Sequence, residues 1–503
     1  MKEPGLAKRI TGNIVWNFIG QGWLLILTFA TMPFIIHRLD VHLYGIFVLI
    51  SVVIDYFAFL QFGMDAATIK YIAQYIGQND ETKIRMTFWT GVISNFFLGL
   101  LGTLMLFTFA PVFVDRFFNV PSNLKETALF SLRVGSAGFL LSMLSGMTSG
   151  VIRALGRFDI LNIMGITFAT MQTAATVILL LMGWSLKEIV IANVAVQLVG
   201  LYVYWVYANR LLPFLRKPAW NTKILFHLLK FGGFVTISAV VGPILTNIEK
   251  IFLTSLRSVS ALTYYSVPFS LISRLSVIPS SFAQVLFPVF SFYQESDKKY
   301  VNRELHYRST LYLLLLYIPP LLFFVFYGGP FLSWWLDKEF AVKSTIILII
   351  LGIAGFTNAA AYPSVAVLQG MGKPQLPAFF HVIEMIIYIP ACYFLIKDFG
   401  GVGAAIAWLL RVFLDTLLLH HASCRLLETP IAQWYWKLFS NGFPVLALLV
   451  LSLLGLKSMN LSLFHPFNIA GVLAIISVYF YVVWRWVLDD STRGRFSELV
   501  IRS

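Results

Sequence analysis

Five ionisable side chains stand inside long apolar stretches of this chain: Asp55, Arg274, Glu384, Arg411 and Asp415. A guanidinium presents a planar fork that grips phosphate at two points. Arg274 and Arg411 are therefore candidates for binding an anionic head group, with Asp55 and Asp415 placed to set or reset those cations and Glu384 adding a further charge. The competing reading is structural. Asp55 would neutralise Arg274, and Arg411 would neutralise Asp415, its i+4 neighbour on one helical face. Arg133 and the pair Glu249 and Lys250 lie nearer the ends of their stretches and read as snorkelling groups. His227, His420 and His421 fall at stretch ends and read as interfacial.

The elements that hold these residues follow from composition. Of 503 residues 58% are hydrophobic and 12% charged, against about 25% charged in a soluble domain. The apolar residues come in blocks such as 92–110 and 346–361, and a bilayer core takes about 20 helical residues to cross. The chain reads as an all-α integral membrane protein. Its net charge of +14 does not imply a nucleic-acid partner, because the basic residues sit in short loops and are not interleaved with exposed aromatics as a nucleic-acid groove requires. Cys392 and Cys424 are the only cysteines and imply no disulfide framework. The run from Ile14 to Ile36 is too long for a signal-peptide core and reads as a retained first span.

The apolar blocks predict fourteen spans, at 14–36, 43–63, 87–110, 128–152, 159–182, 187–208, 231–253, 262–286, 309–328, 342–369, 377–397, 401–421, 438–456 and 466–486. The fourth is diluted by Arg133, Ser136, Ser142, Ser145, Thr148 and Ser149. With the N-terminus inside, and residues near span ends counted with the adjoining loops, the cytoplasmic segments carry 24 of the Lys and Arg residues, the outer loops ten, and three (Arg133, Arg274 and Arg411) lie within spans. That bias sets orientation and puts both termini in the cytoplasm. Asp55 and Arg274 each lie twelve residues into their spans, about 18 Å down a helix. A charge at such a depth costs about 2.5–3.5 kcal/mol on insertion scales and calls for a partner or a wet cavity.

The spans are arranged twice. Tyr44 near the start of span two matches Tyr264 near that of span eight, Tyr75 in the following loop matches Tyr293, and Gly156-Arg157 matches Gly372-Lys373. The offsets of 220, 218 and 216 fall on one diagonal. They predict two six-helix lobes, 1–210 and 220–425, followed by two further helices and a tail in 426–503. An offset of six spans makes the repeats parallel, an architecture used by transporters. Pro33 and Pro243 interrupt the first span of each lobe and are hinge candidates, since proline removes a helix hydrogen bond. There is no phosphate-binding loop for an ATPase, and no metal or nucleophile constellation stands out. Neither an enzyme nor a cofactor is expected.

The order of several short motifs carries a resemblance. Asn13-Ile-Val-Trp-Asn-Phe-Ile-Gly, Leu39-Asp40-Val-His-Leu-Tyr44-Gly45, Phe62-Gly63, Arg153-Ala-Leu-Gly156-Arg157 and Gln369-Gly-Met-Gly372-Lys373 resemble the polysaccharide flippases of the MATE-like (MOP) superfamily over residues 10–425. The resemblance implies transport of an undecaprenyl-pyrophosphate-linked oligosaccharide, such as an O-antigen or capsule unit, from the inner to the outer leaflet of a bacterial cytoplasmic membrane. It also implies membrane lipids as partners, a proton or sodium ion as coupling ion, and association with polysaccharide polymerase machinery. Spans 438–486 would provide a groove for the prenyl tail. The alternatives are a MATE-type drug or cation antiporter, or a peptidoglycan-precursor flippase, whose cavity arginines near span one have no counterpart between Arg9 and Arg38. A polymerase or glycosyltransferase would need catalytic carboxylates in a substantial outer loop, whereas the candidates Asp115 and the pair Asp337 and Glu339 stand in short ones.

Overall fold

A computed structural model describes residues 4–292, 299–459 and 461–487, and within these the side chains of all but 4–19, 21, 231, 233–240, 243, 288 and 299. The repeat match at Tyr293 lies outside the described residues. The helices are α1 (Pro4–Tyr56), α2 (Met64–Gly77), α3 (Glu81–Val112), α4 (Lys125–Ala154), α5 (Phe158–Leu181), α6 (Leu186–Leu211), α7 (Thr222–Leu256), α8 (Val259–Leu275), α9 (Val277–Phe292), α10 (Lys299–Trp335), α11 (Lys338–Gly370), α12 (Gln375–Leu426), α13 (Ile431–Ser458) and α14 (Pro466–Val482). Among the described residues, eleven helical segments are long and apolar enough to cross a membrane. The protein is a multi-pass, all-α membrane protein.

All fourteen expected spans fall on helix. Two helices each carry two of them. The path of α1 is broken at Asp40 (φ 68°, ψ 157°) and that of α12 at Gly400 (φ 59°, ψ −130°), so each is a pair of arms joined at one residue. The positive φ at Gly400 is one that side chains with a Cβ resist. Span four tolerates its hydroxyls because they bond to their own helix. Ser136 donates to the Arg133 carbonyl (2.6 Å), Ser142 to Phe139 (2.8 Å) and Ser149 to Gly146 (3.2 Å). These three hydroxyl protons are thereby satisfied within the helix, as an apolar setting requires.

The turn after α4 and the turn after α11 have the same internal geometry, one that the turn after α5 at Gly183 also takes. Gly156 and Gly372 take φ 70° and 73°. The next amide in each turn reaches back five residues, Arg157 to the Ile152 carbonyl (3.1 Å) and Lys373 to the Leu368 carbonyl (2.8 Å). Such a left-handed cap satisfies the carbonyls a helix leaves open.

The chain divides into two compact units. One comprises Met1–Val267 with Met385–Ala404, the other Pro268–Glu384 with Ala405–Ser503. In the first, α4 packs between α3 and α6, and α1 packs on α5. Its main core is built from Leu39, Ile46, Leu132, Phe139, Leu186 and their neighbours. In the second, α10 packs on α11 and α13, around Leu311, Leu315, Trp434, Leu449 and Tyr479.

Candidate functional site

The second unit brings three of the sequence-derived candidates together. His381 and Glu384 lie one turn apart on the first arm of α12, and Arg411 and Asp415 lie one turn apart on the second. The break at Gly400 comes sixteen residues after Glu384 and fifteen before Asp415, so the returning arm passes Asp415 beside Glu384. An Arg411 guanidinium nitrogen stands 3.5 Å from Glu384 Oε2. His381 Nδ1 stands 3.6 Å from Glu384 Oε1. His381, Glu384 and Asp415 each bring one donor atom to within 4.8 Å of the others.

Burial decides what this cluster can do. Glu384 and Asp415 are 1% and 6% exposed, whereas His381 is open to the surroundings. Glu384 Oε1 and Asp415 Oδ1 accept no hydrogen bond among the described residues. Two buried carboxylates, one guanidinium and one imidazole are thus gathered in one place. The imidazole, half in and half out, offers a path for a proton between the surroundings and the buried carboxylates.

Arg274 is set differently. It is half-buried in the last turn of α8, and helix interrupts at Ser276 before α9 begins. Carbonyls at a helix C-terminus carry partial negative charge and favour a cation there. Among the described residues Arg274 has no ion pair. Asp55 is exposed and also precedes an interruption, in which a short 3-10 turn (Phe57–Gln61) leads into left-handed Phe62 and Gly63 before α2. Spans two and eight are thus both discontinuous just past their charged residue. Transporters use such breaks to line binding sites.

Asp55 belongs to the first unit and Arg274 to the second. Within the first unit, the charge of Lys250 acts on Asp55. Pro33 is accommodated inside the first arm of α1, whose non-helical residue is Asp40. The side chain of Pro243 lies outside the described residues, and its backbone is helical.

Two expectations are corrected. Glu249 does not snorkel; it is fully buried. The Tyr388 hydroxyl donates to its Oε2 (3.0 Å) and the Tyr265 hydroxyl to its Oε1 (3.3 Å), while neighbouring Lys250 donates to Asn247 Oδ1 (2.6 Å). The donors come from α8, the next helix, and from α12, 139 residues on, which depth along the span does not reveal. His420 is also buried, 2.9 Å from the Ala360 carbonyl and 2.7 Å from the Tyr435 hydroxyl, a structural role inside the second unit. His381 joins the cluster beside the candidates the sequence offered. Its signal is the i,i+3 spacing to Glu384 on one helical face.

Comparison with known proteins places this geometry in context. The family model for "polysaccharide biosynthesis protein" matches residues 38–344. A putative O-antigen transporter of Shigella flexneri is 23% identical over 411 residues, covering 82% of this chain and 96% of its own. Among solved structures, the lipid II flippase MurJ in an inward closed conformation superposes with a TM-score of 0.73 at 15% identity, covering 93% of this chain and 96% of that one. An inward-facing multidrug resistance MATE family transporter of the MOP superfamily gives 0.67 at 13% identity, covering 82% and 94%. These structural likenesses show the fold, a MATE-like (MOP) arrangement of helices.

Proposed function

The chain belongs to the polysaccharide biosynthesis protein family, and on that premise we propose that it is a secondary flippase for a lipid-linked oligosaccharide. The substrate is an undecaprenyl-pyrophosphate-linked unit for a cell-surface polysaccharide, carried from the inner to the outer leaflet of a bacterial cytoplasmic membrane. The observation that carries the reading is the family match joined to a buried, ion-paired arginine in a chain that crosses the membrane many times. A guanidinium desolvated in this way is a strong phosphate ligand once its carboxylate partner lets go.

In this reading Arg411 and Arg274 hold the pyrophosphate. Glu384 and Asp415 compete with the phosphate for Arg411, and uptake of a proton or sodium ion at these carboxylates releases it. The repeat-related lobes, 1–210 and 220–425, alternate the leaflet to which the site opens, with the interruptions after Asp55 and Arg274 as points of flexure and Pro33 and Pro243 as further ones. Both termini face the cytoplasm. The exported unit is handed on to polymerase machinery. No step makes or breaks a covalent bond, so the protein is a transporter and not an enzyme.

The test is reconstitution into vesicles of bacterial phospholipid containing a fluorescent undecaprenyl-pyrophosphate-linked oligosaccharide. Protein-dependent exposure of inner-leaflet substrate to an impermeant quencher is expected. Exchange of a cationic dye for protons or sodium, with no movement of the lipid, would point to the antiporter instead.

A further inference from the structure

Three donor atoms converge within the second unit. His381 Nδ1, Glu384 Oε1 and Asp415 Oδ1 are buried and have no hydrogen-bond partner among the described residues. One donor atom from each residue lies within 4.8 Å of the others. The carboxylate oxygens are acceptors, and so is Nδ1 in the tautomer that carries its proton on Nε2. Buried acceptors left unpaired are unfavourable. A proton bridges two of them, whereas a metal ion engages all three.

The imidazole decides which ion. Hard cations such as magnesium and calcium take oxygen ligands, whereas an imidazole nitrogen suits zinc and its neighbours. Ligands bound to zinc at about 2.0–2.2 Å in a tetrahedral set stand about 3.3–3.6 Å apart. His381 Nδ1 and Glu384 Oε1 are 3.6 Å apart, too long for a hydrogen bond and suited to two ligands of one metal. The other oxygen, Glu384 Oε2, faces Arg411 at 3.5 Å. The guanidinium thus orients the carboxylate from behind, as outer partners of metal ligands do. His381 stands four residues into the span that begins at 377, about 6 Å from its end, and its side chain is 41% exposed. An ion reaches the buried donors past this ring.

We propose that His381, Glu384 and Asp415 bind one divalent metal ion of the zinc type, and that its open coordination position takes a phosphate oxygen of the transported lipid. The metal site stands on the geometry alone; the phosphate role rests on the flippase reading and deepens it. Three protein ligands with one position left open is the arrangement of zinc sites that engage a small molecule. A metal on Glu384 and Asp415 draws on the charge of the carboxylates that compete with phosphate for Arg411. The guanidinium and the metal then both become available to the pyrophosphate. Metal and pyrophosphate tighten each other's binding, and by linkage the effect is equal in both directions.

The test uses the full-length protein in lipid nanodiscs, stripped of metal with a chelator and then titrated with cobalt(II), whose visible absorption reports its ligands. A single cobalt ion per chain is expected to bind, to be displaced by zinc, and to be unaffected by excess magnesium or sodium. His381→Gln and Asp415→Asn should each weaken cobalt binding by about a hundredfold or more, at or beyond the loss seen when an outer partner is removed. Their melting temperatures in chelator report that they are folded. Undecaprenyl pyrophosphate in the nanodisc should tighten cobalt binding to the wild type at least about tenfold and perturb the cobalt spectrum, and undecaprenol should do neither. His381→Gln should lose this coupling, which separates the protein's site from chelation by the lipid alone. If the wild type binds neither cobalt nor zinc, or the folded variants bind them as well as it does, the cluster holds only a proton or sodium ion and the inference is wrong. If the metal binds but undecaprenyl pyrophosphate changes neither its affinity nor its spectrum, the phosphate role is overturned. Failure of the flippase reading shows separately, as no movement of the oligosaccharide lipid in the vesicle assay.

Discussion

The Arg411 guanidinium lies 3.5 Å from the Glu384 carboxylate, a contact between residues 27 apart that forms because α12 doubles back at Gly400. Glu384 is fully buried, and the Arg411 side chain is 10% exposed. An ion pair held this far from water is costly to break from one side, because the survivor is left charged and alone.

Arg411→Leu and Glu384→Leu, made singly, should each lower stability by about 3–5 kcal/mol. The double variant should recover most of that loss in a thermal melt. Glycan export should stay abolished in the double variant, because the contact it lacks is with the substrate phosphate. Normal export by the double variant would show that Arg411 only balances Glu384.

Glu384→Gln or Asp415→Asn removes one of the charges that a coupling ion would cover. In vesicles, substrate should still equilibrate between leaflets, but an imposed proton or sodium gradient should no longer drive its accumulation in one of them. Undiminished gradient-driven accumulation in both variants would remove these carboxyls from the coupling step.

Tyr388→Phe takes away the shorter of the two hydroxyl bonds to buried Glu249. A hydrogen bond to a charged group contributes about 1.5–3 kcal/mol, so the melting temperature should fall, and fall further than for Tyr265→Phe. An unchanged melt for Tyr388→Phe would mean that Glu249 is satisfied without it.

Asp40 holds φ 68° and ψ 157°, a region almost reserved for glycine, where other residues bear about 1–3 kcal/mol of strain. Its carboxylate recovers a little by accepting from the His42 amide at 3.4 Å. Asp40→Gly should therefore raise the melting temperature with the fold unchanged. A lower one would mean that the carboxylate does more than relieve its own turn.

A reporter active only in the cytoplasm, fused after Arg216, should be active, since the five basic residues between spans six and seven hold that loop inside. Activity of a periplasm-specific reporter at the same site would reverse the orientation.

Much of this protein was legible from residues taken in order. The apolar blocks determined the spans, because crossing a bilayer depends on local length and hydropathy alone. The helix ends at Gly156 and Gly372 were legible too, because left-handed turns need glycine for a reason internal to each turn. Arg411 and Asp415 could be put on one face of a helix, since i,i+4 geometry is also local. The tertiary structure decided which charges meet. Glu384 reaches Arg411 and Asp415 only through the register of two antiparallel arms, which depends on where Gly400 breaks α12 and how those arms pack. Glu249 had the sequence position of a snorkelling residue, yet it is enclosed by tyrosines 16 and 139 residues away. A helix's periodicity specifies its own faces, whereas the partner each face meets is set by packing between distant segments, which short-range spacing does not encode.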